Sequence, residues 1–292
     1  MYQQPITHKQ RTALVIAIDC STSMQGLTRI NSTVISKSAV ASMVCNQLID
    51  ELLMRAKRGS IVRNYYDIAV LGYSGDGVTS LLPDPHNGLT PISTLAGDTP
   101  QPKTIYIDQT TPRGDLTSVP VTLHQWVESF AKGGTPMYEA MATIYDMISD
   151  WCALPENKNS FPPIVFNISD GSCSDGSDNA LRSIAEDITS THTNDGNTLL
   201  INIHLSSLED EHTPELFPAD SEAYMYGHEQ RRLFMMSSII PKDIEPLIAN
   251  MTTSNAAGPY RAVAFDATMS ELLSILNIGS ESINTKKVNR PR

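Results

Sequence analysis

The sequence predicts an α/β fold in which helices cover both faces of a mostly parallel sheet. Two nearly uninterrupted apolar runs, residues 12–18 and 164–168, are short, rich in β-branched residues and bounded by polar turn formers, which is typical of buried strands. Strands that are apolar throughout are buried on both faces, and they belong mostly to parallel sheets covered by helices. Stretches with helical periodicity lie between the strand-like runs, so strand and helix alternate along the chain.

The strands are predicted from short apolar runs between turn formers. A Ser-Gly-Asp-Gly turn at 74–77 separates two of them, which indicates an antiparallel hairpin at one edge of the sheet. We expect strands at residues 12–18, 65–73, 78–82, 164–169, 197–205 and 261–265.

The helices are predicted from apolar residues at three- and four-residue spacing. The first ends near a basic cluster and Gly59, as helix C-termini prefer, and the second has Thr135 at its N-cap and Pro136 at its first helical position. We expect helices at residues 32–57, 136–151, 177–191, 229–236 and 269–278.

The chain of 292 residues can bury a sizeable core, and we expect one large domain. Residues 1–10 are expected to be an N-terminal lead-in, residues 11–278 the domain, and residues 279–292 a flexible tail. The segment 83–120 is rich in Pro, Gly and Thr, with one strand-like island at 103–108. Because long structureless loops are uncommon inside domains, this segment predicts an insertion, a small β-flap beside the second and third strands.

Composition and charge disfavour several classes of function. Hydrophobic residues make up 40% and charged residues 18%, as in ordinary globular proteins. The formal net charge of −11 leaves no broad basic field for phosphate backbones, so nucleic-acid binding is disfavoured. No window approaches the ~20 apolar residues of a membrane span, and residues 1–12 lack the apolar core of a secretory signal. We therefore expect a cytoplasmic protein that is not bound to a membrane.

A cluster of oxygen-bearing side chains follows the first strand. Asp19, Ser21 and Ser23 stand on alternate residues directly after the run 12–18. Ligands of parallel sheets bind beyond the carboxyl ends of the strands, and an all-oxygen cluster suits a hard divalent cation. Capping of the following turn and the nucleophile of a phosphatase are the alternatives at this point.

The spacing D-x-S-x-S resembles the metal-ion-dependent adhesion site of von Willebrand factor A domains. The resemblance implies a Thr in a later loop and an Asp at the end of a later strand, and the sequence has Thr135 in Gly-Gly-Thr-Pro-Met and Asp170 after the run 164–168. It also implies a Rossmann-like three-layer αβα sandwich with one antiparallel edge strand. The implied metal site is Asp19, Ser21, Ser23, Thr135 and Asp170.

The same resemblance implies a role for each residue. Ser21 and Ser23 bind the metal directly, Thr135 binds directly or through water, and the two aspartates act mainly through water. The implied ion is Mg²⁺, with Mn²⁺ or Ca²⁺ as alternatives, and the carboxylate of a protein partner fills its open position. The loop phrases are similar to those of intracellular bacterial members, including proteins associated with tellurium resistance. This implies a cytosolic adaptor beside a kinase, phosphatase or ATPase.

Enzymatic functions find little support in the sequence. A dehalogenase-type phosphatase needs a second Asp where this chain has Ser21. No phosphate-binding loop, dinucleotide fingerprint or G-x-S-x-G elbow occurs, and the acidic segment 170–178 lacks the pattern of a calcium loop. We therefore expect a binding module and no enzyme, with a metal-dependent hydrolase or a structural domain with a vestigial site as the alternatives.

Overall fold

The computed structural model describes residues 1–30, 33–82, 88–97, 99–110, 116–209, 214–268, 270–272 and 274–275, with backbone alone at 33, 105–110, 116–119 and 121. Its strands are β1 (Thr12–Asp19), β2 (Leu27–Ile30), β3 (Thr33–Ser36), β4 (Lys57–Arg58), β5 (Ile61–Val62), β6 (Tyr66–Ser74), β7 (Gly77–Ser80), β8 (Thr90–Pro91), β9 (Pro102–Thr110), β10 (Leu116–His124), β11 (Ile164–Ser169), β12 (His192–Thr193), β13 (Gly196–Asn197), β14 (Leu199–His204), β15 (Glu215–Leu216) and β16 (Val263–Phe265). Its helices are α1 (Lys37–Ala56), α2 (Ile92–Gly97), α3 (Met137–Ala153), α4 (Asp178–Ser190), α5 (His228–Met236) and α6 (Glu245–Ile248).

The main sheet is centred on β1, and its strand order is β15-β16-β14-β11-β1-β6-β7. β1 pairs in parallel with β11 and β6, and β14 and β16 continue the parallel set beyond β11. β7 closes one edge antiparallel to β6, as the predicted hairpin requires. The mostly parallel sheet is thereby confirmed. An additional antiparallel strand, β15, lies at the opposite edge, in a stretch where the sequence predicts no strand.

The two faces of β1 are covered by different helices. Leu14, Ile16 and Ile18 lie in one core with α1, whereas Val15 and Ala17 lie in another core with α3, α4 and α5. Successive side chains of a strand point to opposite faces, so a strand covered on both sides must be apolar throughout. The three-layer αβα arrangement follows. None of the described helices has the length and apolarity to span a bilayer.

The first helix begins later than the sequence predicts. It starts at Lys37 because β2 and β3 form an antiparallel hairpin before it, where the sequence predicts helix from residue 32. The β-branched residues at 33–35 favour extended backbone over helix. Ser36 ends the hairpin and caps α1, since its Oγ accepts a hydrogen bond from Ala39 N at 3.2 Å. The hairpin thus places Lys37 in the first turn of α1.

The insertion at 83–120 contains the predicted β-flap, but the flap packs elsewhere. β9 and β10 form a separate two-stranded sheet. At its end, Asp50 of α1 accepts hydrogen bonds from His124 N at 3.0 Å and from Trp126 Nε1 at 2.9 Å. The flap therefore docks on α1, and among the described residues of the insertion only those of the short β8 pair with β6. Nothing in the sequence predicts that the flap packs on α1 and not beside the second and third strands.

The N-terminal lead-in packs on the domain. Tyr2 is buried and meets Phe161 edge to face at a centroid distance of 5.9 Å. Asp195 accepts hydrogen bonds from the backbone nitrogens of Gln3 and Gln4, both at 3.0 Å. At the other end, residues 270–272 and 274–275 of the predicted closing helix are helical, and the predicted tail at 279–292 lies outside the described residues.

Candidate metal centre

Two neighbouring parallel strands deliver the two predicted aspartates to one edge of the sheet. Asp19 is the last residue of β1, and Asp170 directly follows β11, the strand paired with β1. Both residues are buried, at 0% and 7% exposure. Because the carboxyl ends of parallel strands meet at the same edge, two acids distant in sequence become neighbours there.

Asp19 organises the loop after β1. Its Oδ1 accepts a hydrogen bond from Ser21 N at 2.9 Å, and its Oδ2 accepts one from Ser169 Oγ at 2.9 Å. The Oγ atoms of Ser21 and Ser23 lie 3.0 Å apart. Ser23 also lies close enough to Asp170 to lower the pKa of that carboxyl, so these hydroxyls and carboxylates form one set. Ser169, the polar last residue of β11, is a member of this set that the motif alone does not reveal.

Backbone hydrogen bonds tie the segment of Thr135 to the two loops that carry this set. Thr135 N donates to Ser174 Oγ at 3.0 Å, and Ser174 N donates to Thr135 O at 2.9 Å, which ties Thr135 to the loop after β11. Thr22 N donates to Gly133 O at 3.0 Å, which ties the same segment to the loop after β1. Gly133 has φ +71°, and a Cβ there would lie 2.7 Å from Gly75 Cα. Glycine is required for this loop to approach so closely.

The start of α3 differs from the prediction, and the difference concerns Thr135. The helix begins at Met137 with Pro136 at the cap position, one residue later than the sequence predicts. The capping carboxylate comes from Asp175, which accepts hydrogen bonds from Tyr138 N at 3.0 Å and Glu139 N at 2.9 Å. Thr135 is therefore not needed as a cap, which leaves its hydroxyl available for another ligand.

A lysine that the motif does not include lies against Asp170. Lys37 Nζ is 2.9 Å from Asp170 Oδ2 and 3.4 Å from Ser207 Oγ, and Lys37 is only 3% exposed. Lys37 lies within the helix that the sequence predicts at 32–57, where nothing assigns it a role. The feature that could have identified Lys37 is its position at the start of α1, where the helix dipole disfavours a cation unless an anion is close.

The two carboxylates have different electrostatic environments. Burial raises the pKa of Asp19 to about 6, against the opposing effect of the hydrogen bonds from Ser21 and with a further contribution from the charge of Asp170. Burial alone would raise the pKa of Asp170 as well. The pKa is instead lowered, because the side chain of Ser23 and the bonded, charged Lys37 outweigh the effect of burial. Asp170 is thus the firmly ionised member of the pair.

The arrangement of His204, Ser206 and Asp266 bears on the hydrolase alternative. Ser206 Oγ lies 2.9 Å from Asp266 Oδ2 and 3.3 Å from His204 Nδ1, and Nδ1 also faces Asp266 Oδ1 at 4.0 Å. In a nucleophilic triad the imidazole contacts serine and aspartate through different nitrogens. Here the serine contacts the aspartate directly, so the geometry is that of a structural network. Burial lowers the pKa of His204.

The donor set fits a divalent cation that prefers oxygen. Mg²⁺ binds oxygen at ~2.0–2.1 Å in an octahedron, whose adjacent ligands are then about 3.0 Å apart. The Ser21 and Ser23 hydroxyl oxygens already have this separation of 3.0 Å. Within the described part of the chain, no group of three or more His, Cys, Asp or Glu side chains is placed to hold a metal. A cation at this edge would therefore depend on hydroxyl ligands.

Comparisons with known proteins find matches among solved structures, two of which follow. No family model matches the sequence, and no curated protein matches it. The chain is similar to a solved structure described as von Willebrand factor type A from Catenulispora acidiphila, with a TM-score of 0.46, 13% identity, and coverage of 94% of this chain and 43% of that one. It is also similar to an uncharacterized membrane spanning protein from Vibrio fischeri, with a TM-score of 0.28, 12% identity, and coverage of 67% and 71%. The chain thus spans less than half the length of the first protein.

Proposed function

We propose that this protein is an interaction module of the von Willebrand factor A type, which binds an acidic residue of a protein partner through Mg²⁺. Mn²⁺ and Ca²⁺ are the alternative ions. The observation that carries the proposal is the convergence of the loops after β1 and β11 with the loop before α3, and in particular the 3.0 Å separation of the Ser21 and Ser23 hydroxyls. In this proposal the module is no enzyme.

Of the five predicted residues, three would bind the ion through hydroxyls and two would position those hydroxyls. Ser21 and Ser23 supply direct hydroxyl ligands, and Thr135 supplies a third, directly or through water. Asp19 fixes the loop through Ser21 N, and Asp170 lies beside Ser23, so the carboxylates position the hydroxyls and balance charge. When bound, the ion offers an open position that a partner carboxylate can fill, since neutral hydroxyl ligands leave it strongly electrophilic.

We further propose that the module is a cytosolic adaptor beside a kinase, phosphatase or ATPase, as in the bacterial proteins associated with tellurium resistance. The loop phrases at 19–24 and 133–137 support this placement. The network of His204, Ser206 and Asp266 does not support a serine hydrolase, because the serine hydroxyl contacts the aspartate directly, and a metal-dependent hydrolase stays the alternative.

The proposal is tested by capturing partners on the immobilised protein in Mg²⁺, in excess EDTA, and after Mg²⁺ has been restored. We expect the captured partner to be released by EDTA and to return with the metal. The double variant Ser21→Ala/Ser23→Ala should capture nothing under any condition, whereas Ser80→Ala, an exposed serine on β7, should behave as wild type. Equal capture in EDTA and in Mg²⁺ would contradict the proposal. It is the result expected of a structural domain with a vestigial site.

A further inference from the structure

The proposed metal centre contains a cation of its own. The Lys37 ammonium bonds to Asp170 Oδ2 at 2.9 Å, and the side chains of the pair are only 4% and 8% exposed. Asp170 is one of the five residues proposed to hold the metal. The ammonium group of Lys37 is therefore already bonded to one oxygen of a carboxylate that belongs to the proposed metal centre.

The local backbone is built to hold this lysine. Lys37 N donates to Gly26 O at 2.9 Å, and a Cβ at Gly26 would lie 3.2 Å from Lys37 Cε. The absence of a side chain at Gly26 leaves room for the lysine stem. Lys37 is also the first residue of α1, where both burial and the helix dipole disfavour a cation. Lys37 is therefore held in place by its pairing with Asp170, whereas a surface lysine would be solvated.

Lys37 changes the charge balance of the site. With both carboxylates ionised, Asp19, Asp170 and Lys37 together carry one negative charge, where the two aspartates alone would carry two. A divalent ion would convert this total to one positive charge. Such a site repels the metal more than a purely acidic site does, and it attracts an additional anion more strongly.

The space beside the pair is suited to that anion. A cavity of about 320 Å³ is lined by Ser23, Lys37, Asp170, Ser206 and Ser207, among others. His204, His228 and Glu229 are the other titratable groups that face it. The cavity is wide enough for the end of an aspartate or glutamate side chain, and its serine hydroxyls can donate hydrogen bonds to a carboxylate.

We propose that Lys37 is an internal counter-cation of the metal centre, which holds Asp170 before the ion arrives, weakens the binding of divalent ions, and makes the occupied site select an anionic partner group. This inference rests on the proposed metal-dependent function. A unit charge about 5 Å from a divalent ion weakens its binding roughly tenfold even when screened as in bulk water. The partner carboxylate would then do more than fill a vacant ligand position, because it would also neutralise the excess positive charge.

The test is a titration with Mn²⁺ alone, at neutral pH and fixed ionic strength, read from the electron paramagnetic resonance signal of the free ion. Lys37→Met should bind Mn²⁺ at least about tenfold more tightly than wild type. Lys57→Met is the matched control: Lys57 is exposed and directly follows α1, at the end opposite Lys37, so its loss changes the net charge equally without touching Asp170. The control should bind as wild type does.

The outcomes separate the two proposals. Equal or weaker binding by Lys37→Met, with uptake by wild type, overturns the role of Lys37 and leaves the metal centre standing. Absence of Mn²⁺ uptake by every form overturns the metal centre itself. If circular dichroism shows that Lys37→Met is unfolded, Lys37→Gln decides in its place, because glutamine removes the charge while its amide can still donate to Asp170.

Discussion

Breaking the Lys37–Asp170 pair in the metal-free protein is expected to destabilise the fold strongly. Asp170→Asn keeps the size of the side chain and one oxygen that can accept from Lys37, but it leaves a lysine that is 3% exposed without its counterion. Removing one partner of a buried pair costs about 3–5 kcal/mol. We expect the lower end, about 3 kcal/mol, because the asparagine oxygen keeps part of the interaction. Urea denaturation in EDTA measures this change as a shift of the unfolding midpoint.

A control and a double variant isolate the pair itself. Asp76 forms an exposed pair with Lys132, whose side chain is 62% exposed against 65% for Asp76, so Asp76→Asn should cost under about 1 kcal/mol. The double variant Asp170→Asn/Lys37→Met removes both buried charges, and it should recover most of the lost stability. Asp170→Asn being no more destabilising than Asp76→Asn, or the double variant being as unstable as the single one, would contradict the importance of the buried pair.

The loops around the site support three further predictions. Because burial raises the pKa of Asp19 from 3.8 to about 6, the folded metal-free protein holds a proton that the unfolded chain has released, and the free energy of unfolding should fall by up to about 3 kcal/mol between about pH 4 and pH 6. Urea midpoints should show this fall in wild type and a smaller one in Asp19→Asn; parallel curves would contradict it. Gly133→Ala combines φ +71° with a clash against Gly75 and should cost more stability than Gly59→Ala, where φ is +63° and the space is open. Equal midpoints for these two variants would show that the close approach does not matter. Asp175→Ala removes the carboxylate that caps α3 and should lower stability by about 1 kcal/mol, and an unchanged urea midpoint would argue against that cap.

The parallel sheet was predictable because its strands are covered on both faces. β1 is recognisable as a strand because its residues before Asp19 are uncharged on both faces, and the antiparallel edge strand β7, which pairs with β6, follows a Gly-rich turn. The hairpin of β2 and β3 has weaker local signals, and its apolar residues also satisfy a helical spacing. The docking of the flap on α1 depends on contacts such as Asp50 with Trp126, which are distant in sequence and follow no periodicity.

The site was predictable to the extent that local motifs define it. Asp19, Ser21 and Ser23 are adjacent in sequence, and Asp170 follows from the pairing of β1 with β11. Lys37, Ser169 and Asp175 were missed because each acts through the tertiary position of a neighbouring element. A buried cation beside an acidic motif can be found from sequence only if the start of its helix is known, and here the preceding hairpin concealed that start.

The most direct test of the central claim is the stoichiometry of Mn²⁺ binding to the purified protein. We predict about one Mn²⁺ bound per chain in wild type, displaced by excess Mg²⁺, and its loss in Ser21→Ala/Ser23→Ala, which removes the two hydroxyls that lie 3.0 Å apart. The variant should keep the wild-type circular dichroism spectrum, so that the loss reports on ligands and not on folding. Undiminished Mn²⁺ uptake by this folded variant would contradict the account, because the ion would then be held by other residues.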